Sequence, residues 1–194
     1  RTVSGLLGTD ALTVLTYSFE GTEGTSYGPT TTAPTAAGVY RIIPSDGVVS
    51  PGSIVNYDVT YVEGTFTIAG IPATVTAADK SKQYGATTPD FTSTAGGLIV
   101  GHDLLDVTYV FEGVGGTSYG PSTTVPTAVG TYSVTPSDAS ITEGAEVNYS
   151  FTYYSGTYTI SPRAITVTAD DQSREYGSAD PELTYSVTSG SLVD

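Results

Sequence analysis

The chain has 194 residues, with 20 acidic and 6 basic side chains, a formal net charge of −14, and no cysteine, methionine or tryptophan. That charge excludes a nucleic-acid reader, which needs a basic footprint, and disfavours docking on anionic lipid; no apolar run reaches the length of a membrane span. Without thiols there is no disulfide, and 34 threonines with 15 tyrosines suit half-exposed strands.

Residues 1–10, RTVSGLLGTD, resemble the last ten, YSVTSGSLVD, so the chain stops near the phase at which it began and reads as a piece of something longer. Residues 15–20 (LTYSFE) alternate as a strand and recur as 107–112 (VTYVFE). Over residues 17–32 against 109–124, 12 of 16 positions are identical, which marks a tandem duplication. Gly28-Pro29 and Gly120-Pro121 punctuate a Thr-rich loop that proline keeps out of a central strand. Residues 38–43 and 130–135 are the next strands, ended in each copy by Pro-Ser-Asp.

Next comes the stretch that sets the period: NYDVTYVEGTFTI at 56–68 and NYSFTYYSGTYTI at 148–160, a register of 92 residues. Each alternates with period two, and a three-residue loop ending in glycine predicts a bulged hairpin. Its inner face carries Tyr149, Phe151 and Tyr153, then Tyr158 and Ile160; Ser150, Thr152, Thr157 and Thr159 face outward. A lone hairpin is marginal in water, so the rest of each module must cover the aromatic face.

The segment 74–85, TVTAADKSKQYG, opens a new module and recurs as 166–177, TVTADDQSREYG. A short strand runs into a polar loop, a Tyr-Gly corner, a proline (Pro89, Pro181) and a second strand at 91–94 or 183–187. Only 101–106, GHDLLD, reads as a possible helical turn.

Polarised chemistry is sparse. His102 is the one histidine; the earlier copy of the repeat has none there, so it reads as a turn residue. No GxSxG elbow occurs, and the Gly-rich 113–121 lacks the lysine and following helix of a phosphate loop. Asp170, Asp171, Asp180 and Glu182 flank the Tyr176-Gly177 corner; oxygen-only clusters at loop tips suit calcium, with a solvated acidic loop as the plain alternative. No other cofactor is expected. Tyr27 and Tyr119, in the Gly-rich loops, are the candidates for an exposed glycan- or protein-binding patch, against packing as the alternative. Tyr84 and Tyr176 sit at corners where a hydroxyl could tie down backbone.

The set VTADDQSREYG, SADPELTY, SGSLVD, GTYSVTPS and NYSFTYYSGTYTI, with Arg163 before the next ITVTA, resembles the MBG-type repeat. That resemblance implies small β-grasp-like or sandwich-like modules, mainly β with at most one short helical turn each, strung in tandem through large bacterial surface or secreted proteins. It implies no shared catalytic or binding site. Residues 1–72 would be a module lacking its first strands, 73–164 a complete module, and 165–194 the opening strands of a third. The expectation is a non-enzymatic structural repeat, a stalk or fibre block of a long extracellular bacterial protein, with an adhesive module as the alternative. Because neither partial module covers its own strands, residues 165–194 of one chain are expected to pack head to tail on 1–72 of the next. In the adhesive reading the partners are surface glycans or proteins.

Overall fold

The computed structural model describes residues 3–142 and 146–192; residues 1–2 and 193–194, at the outer ends of the expected first and third modules, lie outside them. Among the described residues the regular structure is twelve strands with short 3-10 turns at Ile54–Asn56 and Glu146–Asn148, so the fold is mainly β. In chain order the strands are β1 (Ala11–Thr22), β2 (Gly38–Ser50), β3 (Gly64–Ile68), β4 (Ile71–Ala77), β5 (Lys80–Gln83) and β6 (Ser93–Gly96). Then come β7 (Leu104–Val114), β8 (Gly130–Ile141), β9 (Tyr149–Tyr154), β10 (Gly156–Ser161), β11 (Thr166–Ala169) and β12 (Tyr185–Ser189). They fall into two units, residues 3–73 with 146–151 and residues 74–142 with 152–192.

In the first unit an antiparallel sheet runs β1-β2-β3. In the second, β7, β8 and β10 repeat it at the 92-residue register: Tyr109 faces Pro136 as Tyr17 faces Pro44, and Gly130 faces Ile160 as Gly38 faces Ile68. The irregularities repeat too. Register shifts after Leu12 and Val14 recur after Leu104 and Asp106, and Asp46 and Asp138 both adopt positive φ, 50° and 49°. This corrects one expectation: Pro-Ser-Asp does not end the strand. The aspartate takes up a left-handed residue in a bulge, and β2 and β8 continue beyond it.

The expected hairpin is also corrected. β9 lies beside β4 in the sheet β6-β4-β9, whereas β10 lies between β5 and β8 in the sheet β5-β10-β8-β7. Both edges of β10 are occupied, so its sequence neighbour has nowhere to pair, and Ser155 carries the chain from one sheet to the other. In the first unit the equivalent of β9, residues 57–62, is not a strand. The alternation itself holds: in β9 Tyr149 is buried, Phe151 and Tyr153 are half-buried, and Ser150 and Thr152 are exposed.

The polar stretch after Ala77 contains a further strand, β5, which pairs in parallel with β10. GHDLLD is not helical; it turns at Gly101 and enters β7, and the 3-10 turns fall instead at Ile54–Asn56 and Glu146–Asn148. The second unit's core gathers Ala77, Phe111, Tyr132, Val134, Tyr158 and Ile160, with Phe91 and Tyr119 packed against it. Burying an aromatic or branched side chain of this kind contributes about 1.5–3 kcal/mol, so these few rings carry much of the module's stability.

Candidate functional site

Three places hold the sequence-nominated residues or a cavity, and the first is the Gly-rich loop. Gly28 and Gly120 adopt φ of 63° and 66°, and a Cβ at either would strike the carbonyl of Phe19 or Phe111. The loop so folded lays Tyr27 edge-on against Tyr40, centroids 5.5 Å apart at 83°, and Tyr119 against Tyr132, 5.6 Å apart at 86°. Tyr27 Oη donates to the Thr32 carbonyl at 2.9 Å and Tyr119 Oη to the Thr124 carbonyl at 2.7 Å. Both rings are half-buried, each with one face on a buried tyrosine and the hydroxyl committed to backbone. Tyr40 and Tyr132 in turn donate to Ala36 and Ala128 carbonyls, both at 2.7 Å. Burial pushes the Tyr132 and Tyr158 hydroxyls above the ordinary tyrosine range.

Tying down backbone was the part expected of Tyr84 and Tyr176, and here the two pairs exchange places. Tyr84 is partly and Tyr176 fully exposed at their corners. Those corners are held by a basic side chain: Lys82 Nζ donates to the Ala86 carbonyl at 3.2 Å, and Arg174 donates to the equivalent Ser178 carbonyl at 3.0 Å.

The acidic loop is the second place. Asp170 accepts from Thr184 Oγ1 at 2.8 Å and from Ser186 Oγ at 3.3 Å, while Asp180 pairs with Arg174 Nε at 2.7 Å. Asp171 and Glu182 are exposed. Calcium takes six to eight oxygens, and among the described residues no three His, Cys, Asp or Glu side chains gather around one point.

The third place is on the partial module 1–72, whose strands the sequence leaves without their cover. A groove of about 900 Å³ opens over the first sheet, lined by Leu12, Leu15, Tyr17, Phe19, Val59 and Tyr61 among others. Tyr57 crosses one end of it, donating to Asp10 Oδ2 at 2.6 Å and accepting from the Leu7 N–H at 3.2 Å; the bond to that carboxylate pushes its hydroxyl above the usual range. In the second unit the matching aromatic face is covered. Phe91 sits on it, its ring 6.0 Å from Tyr109, 4.8 Å from Phe111 and 5.1 Å from Tyr158. The sequence carried this signal: residues 57–68 keep the same alternation without the strands that cover its later copy.

With β1, β2 and β3 matched by β7, β8 and β10 and the bulges matched too, the two sheets define a tandem array of small β modules. A family model, the MBG domain (YGX type), matches residues 1–67, 73–159 and 165–193. The chain belongs to that family. No curated protein and no solved structure matches it.

Proposed function

We propose that the chain is a non-enzymatic, load-bearing repeat of a long extracellular surface protein of bacteria, a stalk or fibre block. The observation that carries this reading is the parallel pair β5–β10, in which Tyr158, Thr159, Ile160 and Ser161 face Lys80, Ser81, Lys82 and Gln83. The pair is fastened at both ends, by Thr157 N–H to Asp79 Oδ1 at 2.7 Å and by Tyr84 N–H to the Ser161 carbonyl at 2.9 Å. β5 stands near the start of the family repeat 73–159 and β10 at its end. Tension applied at the two termini therefore pulls parallel neighbours in opposite directions. The ladder is loaded in shear, all its hydrogen bonds at once, instead of being unzipped one at a time. The acidic, Thr-rich surface keeps a long exposed chain solvated.

Stretching single chains tests the reading. The second module should resist and then release about 30 nm of polypeptide in one step, and Ser81→Pro, which disrupts β5, should lower that force. Extension without a force peak, or tight and specific capture of a glycan or protein by the unstretched chain, would overturn it; the latter favours the adhesive alternative.

A further inference from the structure

The Thr-rich loop after each Gly-Pro, residues 30–37 and 122–129, uses some of its hydroxyls and leaves others idle, in the same way in both copies. Thr30 Oγ1 and Ser122 Oγ accept the Thr32 and Thr124 N–H at 3.3 and 3.1 Å. Just ahead of the loop, Thr25 and Thr117 Oγ1 accept from the Val39 and Thr131 N–H. Those hydroxyls fix its shape. Thr31, Thr32 and Thr35, with Thr123, Thr124 and Thr127, are exposed, and among the described residues no group bonds their hydroxyls.

The backbone that carries this row is pinned on either side of it. Antiparallel bridges join Thr30 to Phe19 and Ser122 to Phe111. The Tyr27 and Tyr119 hydroxyls hold the Thr32 and Thr124 carbonyls, and those of Tyr40 and Tyr132 hold Ala36 and Ala128. Pro34 and Pro126 are buried, and the residue ahead of a proline is driven toward extended backbone. Residues 33–35 and 125–127 belong to no strand, and among the described residues no backbone bond engages them. An exposed, extended segment with free backbone groups is the form in which a peptide enters a partner's groove. Threonine beside proline in such a segment is the composition of O-glycosylated stalks. Phosphoryl transfer to the same hydroxyls fits less well. A phosphate calls for cationic partners, and none of the six basic residues lies in either loop, whereas a neutral sugar adds nothing to a charge of −14.

We infer that these six threonines are acceptors for O-linked sugars, transferred from a nucleoside-diphosphate sugar by a glycosyltransferase of the producing cell. The threonine Oγ1 attacks the donor's anomeric carbon. A new C–O bond forms there as the bond from that carbon to the phosphate oxygen breaks. The nucleoside diphosphate leaves with the electron pair, and the hydroxyl proton passes to a base of the transferase. The sugars stand beside the end strands β1 and β7, whose outer edges the loop already pairs with at Phe19 and Gly21, and at Phe111 and Gly113. Hydrated glycans extend that cover against pairing with another chain, and they shield an exposed loop that proteases would otherwise reach. The inference stands apart from the load-bearing reading, because bare loops would leave the β5–β10 ladder unchanged.

The test takes the protein purified from the cells that produce it, by intact mass and by electron-transfer fragmentation, which keeps sugars on their residues. Hexose or N-acetylhexosamine increments should fall on the two loops, with Thr152 and Thr157, exposed too but on strands, left bare. Thr123→Ala, Thr124→Ala and Thr127→Ala together, with the matching three changes in the first loop, should remove the increments. Far-UV circular dichroism should stay that of the parent, since no hydroxyl bond of the fold is lost. Thr123→Ser, Thr124→Ser and Thr127→Ser, with their first-loop counterparts, should retain the sugars, which separates a lost acceptor from a disturbed loop. An unmodified mass, or phosphate in place of sugar, would overturn the inference. So would increments spread equally over the strand threonines, or sugars that persist after the alanine changes.

Discussion

Two phenylalanines at the same place in the repeat, Phe19 and Phe111, should differ sharply when truncated to alanine. Phe111 is 1% exposed, with Phe91 edge-on at 4.8 Å and Tyr158 at 6.4 Å, so Phe111→Ala empties a filled site and should cost about 3–5 kcal/mol. Phe19 has Phe66 as its ring neighbour at 6.1 Å and the open groove on its other side. With part of its surface already in water, Phe19→Ala should cost about 1–2 kcal/mol. A chain of several modules has no single unfolding free energy, so the loss must be read locally. Hydrogen exchange resolved by peptide mass spectrometry across a urea series, on dilute protein, gives protection for β1–β3 and β7–β10 separately. Equal losses at the two sites, or a larger one at Phe19, would refute the assignment of an uncovered first module.

Gly156→Ala should destabilise the second module by about 1–3 kcal/mol, because the new methyl meets the Ala77 backbone, and a thermal melt of the chain should show that transition fall. Tyr119→Phe removes the bond to the Thr124 carbonyl but keeps the ring on Tyr132; about 1 kcal/mol should be lost, with faster amide exchange confined to the loop after β7. Burial raises the Tyr132 and Tyr158 pKa values, so these groups bind protons more tightly folded than unfolded. Their contribution is intact below the unfolded tyrosine value of about 10 and is lost as pH rises through the higher folded values. Denaturation midpoints followed with tyrosinate absorbance should therefore fall above that pH, and less steeply in Tyr132→Phe.

Face was legible in the sequence; neighbour was not. Period-two alternation placed Tyr149, Tyr158 and Ile160 inward and Ser150, Thr152 and Thr157 outward, and the structure agrees. The same pattern cannot say which strand lies alongside. The glycine loop made a hairpin the nearest choice for 148–160, yet β5 and β8 flank β10 and leave β9 to another sheet. β5 itself was hidden because KSKQ is polar, as an edge strand's exposed positions are. Asp46 and Asp138 concealed a bulge behind a proline. The tyrosines exchanged roles for a similar reason: Tyr27 and Tyr84 both stand beside glycines, and only the three-dimensional path shows which ring reaches the core.

The passage of the chain between sheets at Ser155 also bears on when a module can fold. Lys80 must find Tyr158 across 78 residues, and β4 finds β9 across a similar span. Strands made first therefore wait for strands made last. As the polypeptide emerges from a ribosome or a pore, the opening segment of each module stands unsatisfied until almost the whole repeat has followed it. Pairings this distant close slowly. A newly emerged opening segment meets the finished sheet of the module before it sooner than its own, so each repeat passes through an interval in which a neighbour's strands compete for its place.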